Sequence, residues 1–193
     1  MFNDLAQAAR PALVLTGLMF VVTGLAYPAA ITAVAQIALP HQANGSLLTR
    51  GNRVVGSALI GQTFAADGYF HGRPSAAGKG YDPTQSSGSN LAPTSKTLVD
   101  RVTADAKANP GAPADMLTTS GSGLDPDISP EAAEWQAKRV AAARHMAPAK
   151  VLVMVENAVE MPVFGFIGEP HVNVLKLNLA LDKLSEKGAQ SAP

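Results

Sequence analysis

The sequence predicts an α+β fold in which one N-terminal transmembrane helix is followed by a small, loop-rich domain. Three observations carry this. Residues 11–40 contain no Asp, Glu, Lys, Arg or His, later segments place apolar residues at helical spacing with few strand-like runs, and the stretches between them are crowded with Gly, Pro, Ser and Asn. A chain of 193 residues has room for one ordinary core of ~150 residues plus an appended segment. Fifteen Lys and Arg balance fifteen Asp and Glu, so charge points to no nucleic-acid partner. There is no cysteine, which excludes disulfides, thiolate nucleophiles and Cys-based zinc sites.

The apolar run comes first. A helix rises about 1.5 Å per residue and the hydrocarbon core is ~30 Å thick, so about 20 residues suffice and residues 11–39 have some to spare. Pro28 removes one backbone bond within it. Gly17 and Gly24 would let another helix approach closely, and with Tyr27 and Pro28 they are the candidates for packing within the membrane. A cleaved signal peptide is the rival reading, because Ala33-Val34-Ala35 has the form of a processing site. The run continues through Ile37, Ala38 and Leu39, longer than the ~7–15 apolar residues of a secretory signal, so an uncleaved anchor fits better. Arg10 at one end and Arg50 with Arg53 beyond the other leave the orientation open.

After the span, Asn44-Gly45 and the β-branched run from Arg53 predict a small hairpin over 44–61. Residues 68–95 read as a long loop whose aromatic residues Tyr69, Phe70 and Tyr81 dock onto something. Leu98, Val99, Val102 and Ala106 predict a helix capped by Thr94 or Ser95 and stopped at Asn109-Pro110. A second loop, 118–123, leads to Ser129-Pro130-Glu131, an N-cap, a proline in the first helical position and an acid near the positive helix end. That helix is expected to run to about His145. Another follows Ala147-Pro148 with Val151, Val155 and Val159 on one face. A turn at 165–170, a strand through 172–177 and a final helix over 179–187 close the chain.

No constellation points to catalysis. The histidines at 41, 71, 145 and 171 lack metal-ligand spacing, and neither a phosphate loop nor an aspartyl-phosphate motif is present. Asp82, Asp115, Asp125 and Asp127 sit in the Gly-rich regions, where turn and cap formation is the simpler role than attracting a cation.

Taken together, Tyr27-Pro28, Ala43-Asn44-Gly45-Ser46-Leu47, the block 56–64, Tyr69-Phe70-His71-Gly72-Arg73-Pro74-Ser75-Ala76, Gly88-Ser89-Asn90-Leu91-Ala92, Ser122-Gly123-Leu124-Asp125, Ile128-Ser129-Pro130, Arg139-Val140-Ala141, the block 168–174 and the block 177–182 resemble the C subunits of the Kdp potassium-transporting P-type ATPases. The likeness covers nearly the whole chain. At position 171 this chain carries histidine where the pattern has arginine.

The resemblance implies a cytoplasmic N-terminus at 1–10, a span at 11–39 and a periplasmic or extracellular domain at 40–193, in a bacterial inner membrane. It also implies an accessory role in high-affinity potassium uptake, with a channel-like potassium-binding subunit and a P-type catalytic subunit as partners. No cofactor of its own is expected; ATP, Mg and potassium are handled by the complex. The family's C subunit is described as a catalytic chaperone that raises the catalytic subunit's ATP affinity. The partner-binding candidates are Tyr69, Phe70, Arg73, Tyr81, Asn90, Asp125, Asp127 and Glu169, on the 69–95 loop, the 118–130 segment and the turn before the last strand. Two other classes stay open: a tethered or secreted periplasmic module that binds a small ligand, and an enzyme of unrecognised type.

Overall fold

The computed structural model describes residues 2–190, with side chains described for 7–185. The chain divides into two compact units, Met1–Leu47 and Leu48–Pro193.

The first unit is a helix longer than the composition predicts. Helix α1 spans Phe2–Val21, a π-helical turn occupies Val22–Ala26 and α2 spans Tyr27–Ala38, so residues before Pro11 are helical too. Within it, Gln7–Ala38 is long and apolar enough to cross a membrane, and none of that window is buried within the protein. The π-turn lies where Pro28 requires it. Proline has no N–H to give to the carbonyl four residues back and its ring crowds that carbonyl. Widening the preceding turn, with the Tyr27 N–H donating to the Val22 carbonyl, relieves the conflict without breaking the helix. A Cβ on Gly17 would meet nothing, and one on Gly24 would meet only the Phe20 ring. Tyr27 is exposed beside them. A short helix, α3 (Pro40–Ala43), ends the unit.

The expected hairpin comes next, β1 (Leu47–Arg50) paired with β2 (Arg53–Ser57). Its turn is Gly51-Asn52 rather than Asn44-Gly45, with Gly51 at φ +59°, which a glycine adopts without strain. Helix α4 spans Lys96–Ala108, close to the expected bounds.

The core is built by α5 (Pro130–Ala143), α6 (Pro148–Ala158) and α7 (Val174–Gln190) on a three-stranded antiparallel sheet. The Ser129 hydroxyl accepts from the Ala132 N–H and starts α5 as predicted. Ala132, Ala133, Ala137, Val140 and Ala141 form its buried stripe, and these small residues let α6 pack closely with Val151 and Val155. The sheet order is β3 (Asp127–Ile128), β5 (His171–Asn173), β4 (Val159–Glu160). Register places Ile128, Val172 and Val159 side by side, one apolar row toward the helices.

Two expectations are corrected here. Val159 packs on the core as anticipated, but as the first residue of β4, since α6 stops at Ala158. The last helix begins at Val174, not 179. The Asn173 side chain accepts the Lys176 N–H, so the strand turns into a helix at once. The buried set Val174, Leu177 and Leu181 then follows helical rather than strand spacing.

Candidate functional site

The 69–95 loop has a destination, and it is the domain itself. Its first residues are strapped down by side chains from two helices. Gln136 on α5, buried, accepts from the His71 N–H at 2.8 Å and donates to the His71 carbonyl at 3.1 Å. Asn178 on α7, also buried, does the same for Phe70, at 2.8 and 2.9 Å. A side-chain amide carries one donor and one acceptor group, so each mimics a strand partner and satisfies backbone groups that burial would otherwise leave unpaired. Arg139 adds donations to the carbonyls of Asp67 and Tyr69, and Arg144 donates to that of Gly68.

These straps fix where the aromatic candidates go. Phe70 is fully buried in the core, so it has no side-chain surface to offer a partner in this fold. Tyr69 is half-buried, its hydroxyl donating to Asp182 at 3.3 Å and its ring under the Arg144 guanidinium at 4.7 Å. Tyr81 donates its hydroxyl to the Arg73 carbonyl at 2.7 Å. Burial, then the nearby Asp125 carboxylate, push its hydroxyl up to about 12. Asn90 is exposed at φ +52°, a left-handed conformation that asparagine tolerates.

Four candidates converge on one polar cleft of ≈ 290 Å³, lined by Arg73, Asp125, Asp127 and Glu169 together with Asp115 and His171. Arg73 pairs with Asp125 at 2.9 Å, and its Nε is buried without a hydrogen-bond partner. Each half-buried acid here also accepts a hydrogen bond from the domain. Asp115 accepts from the Ser129 N–H, Asp125 from the Asp127 N–H, and Asp127 from the Asn173 amide. Asp82, outside the cleft, accepts from the Thr84 N–H and hydroxyl, bonds that hold its carboxyl below the usual range. Turn formation therefore accounts for Asp82 and Asp125, whereas Asp115 and Asp127 tie distant segments together. Burial raises the Asp127 carboxyl above its ordinary value, against a hydrogen bond from Asn173 and the nearby His171 ring. The His171 ring sits 3.8 Å from Glu160 and 4.0 Å from Asp127, so the position departing from the family pattern faces two carboxylates. Among the described residues, no group of three or more acids and histidines is disposed to hold a metal ion.

A second cavity, of ≈ 530 Å³, lies beside the straps and includes Asp67, His71, Asn109, Trp135 and Arg139. Burial, then the Arg139 charge, hold His71 below its ordinary 6.5. The unfolded chain therefore takes up this proton first as pH falls through 6.5, and stability drops until the lower folded value is passed. We expect the denaturant midpoint of the detergent-solubilised chain to fall between about pH 7.5 and 5.5, and His71→Gln to reduce that fall. An identical pH dependence in the variant would remove His71 as a source.

The residues that organise this surface and that sequence reasoning missed are Gln136, Asn178, Arg139, Arg144 and Asp182. Two carried a signal. Gln136 interrupts the alanine stripe of α5, and Asn178 lies between Leu177 and Leu181 on the apolar face of α7. A polar residue at a core position must find partners.

Comparison with known proteins gives a consistent result. The family model described as KdpC, K+-transporting ATPase, c chain, matches residues 9–183. A potassium-transporting ATPase KdpC subunit of Caulobacter vibrioides is 59% identical over 180 residues, covering 90% of this chain and 91% of the relative. The KdpC subunit of Gemmatimonas aurantiaca is 54% identical over 187 residues, with 93% and 94% covered. That of Rhodospirillum rubrum is 51% identical over 185 residues, with 92% and 96% covered.

Proposed function

The chain belongs to the KdpC family, the c chains of K+-transporting ATPases, and on that premise we propose that it is an accessory subunit of a potassium uptake pump with no catalytic chemistry of its own. The observation that supports this most is the family match across both the apolar helix and the domain. The partners are a channel-like potassium-binding subunit and a P-type catalytic subunit, which handle potassium, Mg and ATP. One helix anchors the chain in a bacterial inner membrane, and the domain lies on the periplasmic side.

In this arrangement the domain stabilises the assembly and caps the outer mouth of the channel-like subunit. A role as catalytic chaperone follows only indirectly. With ~30 Å of hydrocarbon between them, a periplasmic domain cannot touch a cytoplasmic nucleotide. A rise in ATP affinity is then a coupling free energy carried through packed helices, and by reciprocity ATP tightens the pump's hold on this subunit. The test is potassium-stimulated ATP hydrolysis by the detergent-purified pump assembled with and without this chain. Activity or assembly should be lost without it. An equally active complex together with no co-purification would overturn the reading and favour a free-standing ligand-binding module.

A further inference from the structure

The domain carries one strongly apolar feature that its own core does not use. Between β4 and β5 the chain Met161-Pro162-Val163-Phe164-Gly165-Phe166-Ile167 forms a miniature hairpin, with Val163 and Ile167 exchanging backbone hydrogen bonds at 3.0 Å in each direction. Phe164 and Phe166 are 84% and 77% exposed, and Met161, Val163 and Ile167 are exposed as well. Singly exposed apolar residues are ordinary, but five in seven positions on one tip are not.

The backbone keeps these rings outward. Phe164 has φ +55° and Gly165 φ +79°. The paired residues enclose Phe164, Gly165 and Phe166, and the first two are left-handed, a conformation that Gly and Asn adopt far more readily than an aromatic residue. A bulky aromatic residue there pays a conformational cost that the domain does not recover by burying it.

We propose that this tip is a docking plug that inserts into an apolar socket, with a neutral or basic rim, on the periplasmic face of another subunit of the pump. The proposal rests on the accessory-subunit reading above. Three observations select that occupant. First, residues 159–170 contain no Lys or Arg to meet anionic headgroups and neither Trp nor Tyr, the aromatic residues enriched at membrane–water interfaces. Second, an exposed acid, Glu169, ends the segment, while Glu160 at its other end is already paired with Lys176 at 2.6 Å. An exposed acid beside the tip disfavours an anionic lipid surface, and a symmetric pairing of two copies through the tip would bring the two Glu169 side chains toward each other. Third, only residues 39–47 separate the end of α2 from the domain, so the domain stays near the membrane in which the other subunits sit. Phe and Met are enriched at protein interfaces, and a handful of interface residues carry most of the binding energy.

The test uses the assembled pump. With the catalytic subunit tagged, retention of this chain through detergent washing is compared for wild type, Phe164→Ser/Phe166→Ser, and Val153→Ser, a control at an exposed apolar residue of α6. Retention of the double variant should fall about tenfold or more, with Val153→Ser like wild type and the denaturant midpoint of the double variant unchanged. Retention of the double variant at the wild-type level overturns the plug. Failure of wild type itself to co-purify overturns instead the accessory-subunit reading. In parallel, a photoreactive benzoylphenylalanine in place of Phe164 should crosslink to another pump subunit. Crosslinks only to a second copy of this chain, only to lipid, or to nothing overturn the proposal.

Discussion

Asp182→Ala is expected to destabilise the domain by about 3 kcal/mol or more, because it strands a mostly buried guanidinium. The Asp182 carboxylate accepts from Arg144 at 2.8 Å, from Arg50 at 3.0 Å and from the Tyr69 hydroxyl at 3.3 Å. The Asp182 and Arg144 side chains are 15% and 12% exposed, whereas that of Arg50 is 47% exposed, so the Arg144 pair matters most. An exposed pair contributes little, but removing one member of a buried pair leaves the other charge uncompensated. Arg144 also donates to the Gly68 carbonyl and covers the Tyr69 ring, so its displacement would loosen the start of the long loop. Asp182→Asn keeps the shape and one acceptor and should cost less. Denaturant unfolding of wild type and both variants at constant slope measures this. A loss within about 0.5 kcal/mol for the alanine variant would mean that solvent already screens the pair.

That ion pair was illegible in the sequence, and the contrast with what could be read has a physical origin. The start of α5 was legible because Ser129, Pro130 and Glu131 act through the backbone beside them. The same holds for the apolar face of α6 and the end of α4 at Asn109. The α+β class and the long apolar helix followed from composition alone. By contrast, β3 is two residues long and exists only because β5, more than 40 positions later, pairs with it. No local pattern encodes such a contact. The misplaced start of α7 is a different failure. Val172-Asn173-Val174 alternates like a strand, and the helix wins because Asn173 turns its side chain to the next turn's N–H.

The candidate site divides the same way. Residue type and loop context point to Arg73, Asp125, Asp127 and Glu169, and the fold brings all four to one cleft. Phe70, chosen by the same criterion, is a core residue. An aromatic residue in a Gly-rich stretch signals that the stretch docks, but not whether the dock is a partner or its own domain. Asn178 and Gln136 decide that, from positions over 60 residues away.

The same distinction governs the second large effect. Gly121-Ser122-Gly123 reads as a flexible loop, yet it is packed against the 69–95 loop. The Ser87 N–H donates to the Ser122 carbonyl at 2.9 Å, and the Ser75 hydroxyl to the Gly123 carbonyl at 2.6 Å. Gly123 lies at φ +67°, and a Cβ there would stand 2.6 Å from the Ser87 carbonyl oxygen and 2.7 Å from the Ala77 nitrogen. Both are backbone atoms, and Ala77 is fully buried, so neither can swing aside as a side chain would. Gly123→Ala combines a left-handed conformation, costing about 1–2 kcal/mol, with overpacking, costing about 1–3 kcal/mol. The expected loss is about 2–5 kcal/mol. Gly121, two residues earlier, supplies the control: its φ is not left-handed and a Cβ would meet nothing, so Gly121→Ala should stay within about 0.5 kcal/mol. Denaturant midpoints test the pair, and hydrogen exchange localises the effect, with protection of the Ser87 amide falling in the Gly123 variant alone. Equal stability of the two variants would mean that these loops do not hold each other, and the cleft formed by Arg73 and Asp125 would then lose its support.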